Sequence, residues 1–279
     1  MNEKYELTEE FKEIETLREG WLQKIKVYRI RALRAFADVK IGDLGGFVET
    51  KQNLSNMGDA WVCGNAEVYD NAEVRDNAWV RDNAKVYNNA KVYNNAWVCG
   101  NVEVCDNAEV YDNAEVRDNA WVRGNVEVCG DAKVCDNAEV CDNAKVYDNA
   151  EVCGDARVCG KAWVYGNAKV CDYAEVYGNA EVCGDAWVCG DAEVRDNANI
   201  FWCSSIGSRH ATTTMFRNKD NGITVTCGCF MKTLEEFAAR VEKEHGENIF
   251  GKEYKLLIEL AKIHFGLQDE TKGEEENGI

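Results

Sequence analysis

The sequence predicts an all-β solenoid: a parallel β-helix of about eight triangular coils, with a small α+β cap (a hairpin plus two helices) at its C-terminal end. Three observations predict it: a six-residue phrase repeated without insertion or deletion, a two-residue alternation inside each phrase, and charges that match at a spacing of 18 residues.

From Gly58 to Phe201 the chain divides into 24 hexads of the type GDAWVC, GNAEVY, DNAEVR. Position three is alanine except at Val102 and Val126, and position five is valine until Ile200. Positions four and six vary among Glu, Lys, Arg, Trp, Tyr and Cys. Alternation of small apolar and variable residues is the mark of a strand with one buried face. Positions one and two are Gly, Asp or Asn, with Lys161 and Tyr173 as exceptions. These residues tolerate turn and left-handed dihedrals, so each hexad is a short strand plus a corner. Such strands bury an apolar face only by stacking.

The coil length follows from position four. Stacked residues in a parallel array lie ~4.8 Å apart, where a charge pair is worth roughly 0.2–1 kcal/mol. At a spacing of 18, ten charged pairs are opposite, as in Glu67–Lys85–Glu103 and Glu115–Lys133–Glu151–Lys169. Only Glu109–Glu127 and Glu175–Glu193 are alike. Spacings of 12 and 24 give no such excess, so three hexads make one coil and eight coils a prism ~38 Å long.

The chain divides into residues 1–57 (helix, strand and capping coil), 58–201 (the repeat), 202–266 (hairpin and two helices) and an acidic, disordered tail over 267–279. Residues 5–24 read as a short helix, followed by a strand in KVYRIRALRAF and an irregular capping coil in GDLGGFVETKQNLSNM. Open solenoid ends expose unpaired backbone, so both ends need caps. Beyond Phe201, HATTTMFR and GITVTCGCF flank NKDN as a hairpin. Thr233 and Glu236 form a capping box opening TLEEFAARVEKEHG, which Gly246 ends, and KEYKLLIELAKIHF follows as a second helix.

The V-x-[GD]-[ND]-A-x phrase resembles the left-handed parallel β-helix of hexapeptide-repeat proteins, and the left-handed winding is implied by that resemblance alone. With the GDLGGFVE opening and the closing IGSRHATTTMFR, VTCGCF and TLEEF block, the whole chain resembles a group of hexapeptide-repeat proteins of bacteria and their phages. The group has a shape more than an established activity. The resemblance implies a homo-oligomer, with a trimer favoured.

The net charge of −18 repels phosphate backbones, so no nucleic-acid partner is expected. MNEKYELTEEFKE lacks the apolar core of a signal peptide, and no stretch approaches the ~18 apolar residues of a membrane span. The expectation is a cytoplasmic protein without a membrane partner, its 14 cysteines reduced. Trp61, Trp79 and Trp97 stack on one outward side, an expected subunit interface or ligand platform, and Trp187 returns there. Cys135, Cys153, Cys171 and Cys189 form a ladder on the same side. A flat ladder diverges where tetrahedral ligands converge, so no metal is assigned to it. Cys203, His210, Cys227 and Cys229 offer zinc-type ligands without the usual spacing, and Ile223, Val225, Cys227 and Cys229 read better as the buried face of the hairpin.

SRHATTTMFR breaks the repeat and supplies the candidate ligand-binding residues Ser208, Arg209, His210, Thr212, Thr213, Thr214 and Arg217. Guanidinium forks with hydroxyls suit carboxylate or phosphate. No catalytic residue and no cofactor is assigned. β-helix acyltransferases generally use a histidine base and carbonic anhydrase-like sites three converging histidines, but all three histidines here lie past the repeat. The reading is a non-catalytic binding and assembly protein holding a small anionic, nucleotide-like ligand, in a phage setting away from host defence. The alternatives are a structural scaffold or spacer and a hexapeptide-repeat acyltransferase.

Overall fold

The structure, a computed structural model, describes residues 3–18 and 20–267. It is a β-solenoid of about eight turns closed by a C-terminal antiparallel sheet and two helices. Each hexad gives a two-residue rung, from Trp61–Val62 to Glu193–Val194, paired in parallel with the rung 18 residues on. The first face carries rungs Glu67–Val68 to Glu193–Val194, the second Trp61–Val62 to Trp187–Val188, and the third Glu73–Val74 to Glu181–Val182.

Both like-charged pairs are stacked as the spacing requires, Glu109 on Glu127 and Glu175 on Glu193. From Ala60 to Val194 the residues at positions three and five are at most 1% exposed. Burying each valine contributes about 1.5–3 kcal/mol, which drives the stacking.

The corners explain the rest of the phrase. Position one takes positive φ, as in Asp70 (56°) and Asp142 (64°). Its carboxylate accepts a backbone N–H one coil on, as Asp136 does from Gly154 at 3.0 Å. Position two builds amide ladders: Asn89 donates to Asn107 at 3.1 Å, and Asn107 to Asn125 at 2.9 Å. At Gly100, φ is 95° and an added Cβ would meet the Asp118 carbonyl oxygen at 2.5 Å, so glycine is the residue that fits.

The N-terminal helix is not formed. Instead β1 (Tyr5–Arg18) and β2 (Trp21–Ala32) make an antiparallel hairpin that joins β3 (Leu44–Val48) and extends the first face. The Glu- and Lys-rich composition favours a helix locally, but burial of Tyr5, Val27 and Ile30 against the solenoid overrides it, with Glu10–Arg29 at 2.8 Å and Lys12–Glu67 at 3.0 Å adding small contributions. The irregular coil after β3 closes the prism, with Leu54 bridged to Val74. Beneath it Lys4 is fully buried and donates to the Ala60 carbonyl at 2.8 Å.

The last hexad, Asp196–Phe201, leaves the prism. Residues Asn197–Asn199 form a 3-10 turn into a four-stranded sheet of β4 (Ile200–Ile206), β5 (Ala211–Arg217), β6 (Ile223–Cys227) and β7 (Phe230–Thr233). The expected hairpin is the β5–β6 pair. Helix α1 (Leu234–His245) opens on the Thr233–Glu236 capping box and ends at Gly246; α2 (Ile249–His264) packs beside it. The tail expected to be disordered lies, beyond Leu267, outside the described residues.

Candidate functional site

Strand β5 has two faces because its side chains alternate. Thr214 and Phe216 turn to the open end of the solenoid: Phe216 is fully buried in the solenoid core, and the Thr214 hydroxyl accepts the Trp187 backbone N–H at 3.0 Å. Thr213, Met215 and Arg217 turn to the helices. The Thr213 hydroxyl donates to Cys227 Sγ at 3.3 Å, and Met215 joins the core under α1 and α2.

Arg217 donates to the Phe265 carbonyl at 2.6 Å and to the backbone and side-chain oxygens of Asn221 at 3.1 Å. It ties the strand to the end of α2. Thr212 shares a hydrogen bond with Ser204 at 2.9 Å.

The seven predicted residues therefore do not form one site. Ala211–Arg217 alone spans about 20 Å at about 3.3 Å per residue, which separates the two arginines. Arg217 lines a different cleft, of about 400 Å³, with Glu193, Arg195 and Lys219. His210 sits in the β4–β5 turn with φ 48° and lines neither cleft.

Ser208 and Arg209 do share a cavity. It measures about 430 Å³ and lies between the β4–β5 and β6–β7 turns and α1, with His245 and Tyr254 at its helical end. Its cations are Arg209, Lys232 and Arg240. Arg240 pairs with Glu244 at 2.8 Å, whereas Arg209 and Lys232 form no ion pair or side-chain hydrogen bond with any described residue. Phe230 and Phe237 supply an apolar wall, their rings 5.4 Å apart.

Tyr254 meets Phe237 edge-on at 5.5 Å, and its hydroxyl lies 3.9 Å from Cys227 Sγ. Burial, then Cys227, pushes the phenol up to about 12 while Arg209 opposes. It is a neutral hydrogen-bonding group at pH 7. Gly207 permits this packing: its φ is 70°, and any Cβ would fall 1.9 Å from the Tyr254 hydroxyl.

Lys232, Arg240 and Tyr254 were not singled out in the sequence. Phe237 and Tyr254 belong to an amphipathic pattern that reads as plain core, and no local signal places α1 over the Arg209 turn. The four zinc-type residues do not gather either: among the described residues, clusters of three metal-capable side chains occur only in the solenoid. Of the expected buried hairpin face, Ile223 and Val225 are buried, Cys227 is half-buried and Cys229, in the β6–β7 turn, is exposed.

The expected Trp platform is also revised. Trp61 is 2% exposed, enclosed by Tyr5 and Phe36 with ring centroids at 6.4 and 5.3 Å. Trp79 is half-buried, and of the three only Trp97 is open to solvent, with Arg81 over its ring at 4.4 Å. The N-terminal cap covers what the sequence left as an outward face.

Among the described residues no helix is long and apolar enough to cross a membrane. Compared with known proteins, the chain matches no family model and no curated sequence.

Proposed function

We propose that the protein is a non-catalytic binding and assembly protein whose C-terminal cleft takes a small anion carrying an apolar or aromatic body, as a nucleotide does. The observation that carries this reading is the pair of cations, Arg209 and Lys232, facing a shared cavity whose lining carboxylate, Glu244, is taken by Arg240, in a chain of net charge −18. An apolar wall with a few convergent charged groups is the usual lining of a ligand pocket, and the field of two unpaired cations draws an anion. Arg209 grips phosphate or carboxylate through its planar fork, Lys232 adds a point charge, and Phe230 and Phe237 contact the apolar part. Ser208 supplies a hydroxyl at the rim. In a phage setting such a site holds a nucleotide-like signal away from host defence.

The remaining expectations are kept as parts of this proposal: left-handed winding and a homo-oligomer, with a trimer favoured, on the resemblance of the array, and a cytoplasmic, reducing location. No protein counterpart of an acyltransferase base is assigned, since His245 packs on Phe250 and Tyr254, and His264 on Phe201 and Phe265.

A scaffold reading is favoured by one observation, the continuous Asn ladders along the corners, which stiffen the prism. Native mass spectrometry of protein purified gently from its own host separates the two. A retained small anionic molecule supports the binding reading; bare protein in every charge state supports the scaffold.

A further inference from the structure

The side of the prism that carries the cysteine ladder ends where the C-terminal sheet docks, and three sulfurs meet there. Cys171 and Cys189 occupy successive rungs and are 7% and 3% exposed. The sulfur of Met231, on β7, lies 3.3 Å from Cys189 Sγ. The Cys171 and Cys189 sulfurs and an Asp172 carboxylate oxygen all lie within 4.8 Å of one another. The Trp187 indole N–H donates to Cys171 Sγ at 3.1 Å, so this sulfur already acts as an acceptor. Behind this group Cys153 and Cys135 continue the ladder, both buried.

From this grouping we propose a binding site for a soft monovalent d10 ion, of the Cu(I) or Ag(I) class, formed by Cys171, Cys189 and Met231. Soft ions select thiolate and thioether ligands. With metal–sulfur bonds of about 2.3 Å, three sulfurs in a plane around one ion sit about 4 Å apart, and two opposed sulfurs about 4.6 Å apart. The Cys171–Cys189 pair, within 4.8 Å, and the Cys189–Met231 contact at 3.3 Å fall close to those separations, and small side-chain adjustments bring them into line. The Asp172 carboxylate is within reach as a fourth ligand, but a hard oxygen beside a thioether makes a poor set for zinc and leaves the sulfurs to a soft ion. The expectation that the ladder diverges took no account of Met231, which arrives from another element and closes over it. The Trp187 N–H offsets negative charge on Cys171 once a cation binds two thiolates.

The solenoid contains its own control. Cys141, Asp142 and Cys159 repeat the thiol–carboxylate–thiol grouping on another face, without a thioether contact. The test is an anaerobic titration of fully reduced protein with Cu(I) against bathocuproine disulfonate, read by competition and by thiolate-to-copper absorption in the near ultraviolet. The expected result is one tightest equivalent that is lost in Cys171→Ser/Cys189→Ser and retained in Cys141→Ser/Cys159→Ser. Met231→Leu keeps the packing volume and should weaken that equivalent at least about tenfold, the scale of effect seen even for outer-shell partners. Circular dichroism verifies that each variant keeps the solenoid. A tightest equivalent that survives loss of Cys171 and Cys189, or is unchanged by Met231→Leu in folded protein, overturns the proposal.

Discussion

The hydroxyl of Thr214 takes the backbone N–H of Trp187 at 3.0 Å, and the hydroxyl of Thr226 donates to the carbonyl of the same tryptophan at 2.9 Å. In every earlier coil of that face, the N–H of the rung residue finds its acceptor one coil on, as Lys169 does in Ala186 at 2.9 Å. At the last coil there is no next rung, and two threonines from the C-terminal sheet stand in for it. This accounts for part of the break in the repeat: β5 is the lid of the solenoid.

Thr214→Val keeps the shape and removes the acceptor, leaving a buried N–H unmatched. The expected cost is about 1–3 kcal/mol in urea melts, against less than about 0.5 kcal/mol for Thr212→Val at the half-exposed end of the strand. Equal effects at both positions would remove the lid role.

Charge register offers a second test. Lys91 stacks between Glu73 and Glu109, with its ammonium 3.0 Å from Glu109, and Glu109 stacks on Glu127. Lys91→Glu puts four glutamates in line and should cost about 1–2 kcal/mol, as the sum of a few exposed pairs. Adding Glu109→Lys restores alternation at 91, 109 and 127 and should recover most of the loss. High salt should narrow the gap between these proteins.

The tryptophans divide by burial. Trp61→Thr should lower stability by about 3–5 kcal/mol, the range for removing a large buried aromatic, with no change in mass by light scattering. Trp97→Thr should leave stability nearly unchanged and reduce self-association. Wild-type protein monomeric at micromolar concentration would exclude assembly through this side.

Lys4 gives the expected pH dependence. Burial lowers its ammonium to about 8, Arg34 lowering it further and Asp59 opposing. The folded chain therefore releases this proton before the unfolded chain does. Between about pH 8 and 10.5 the unfolded state holds more protons, and this group's contribution to stability rises with pH. Melting temperatures of wild type minus Lys4→Met should climb between pH 8 and 10; a flat difference would mean that the ammonium is solvated.

Much of this fold is legible in the linear sequence because its contacts repeat at fixed separation. Glu67 meets Lys85 and Val68 meets Val86 at the same spacing that joins Glu151 to Lys169. The hairpin at the N-terminus is not legible in that way. Its strands alternate only weakly, pairs such as Glu10–Arg29 form when β1 folds back on β2, and the hairpin is held by β2 against β3, a contact no local window contains. The candidate site was half legible. Arg209 was recognised by its chemistry, but Thr213, Thr214 and Arg217 have structural partners, and Lys232 and Arg240 enter the cleft only through folding of β7 and α1. A three-threonine run looks the same in sequence whether it holds a ligand or closes a solenoid.

The cleft is tested most directly by calorimetry of the purified protein against mono-, di- and cyclic nucleotides and nucleotide sugars. The account predicts one ligand class bound once per chain. Arg209→Ala should weaken it by about 1.5–3 kcal/mol, the worth of a charged hydrogen bond, and Arg209→Lys should weaken it as well because the planar fork is lost. Lys232→Ala should weaken it less, and Arg217→Ala, in the separate cleft, should leave affinity unchanged. No binding across the panel, or binding indifferent to Arg209→Ala and Lys232→Ala together, would contradict it.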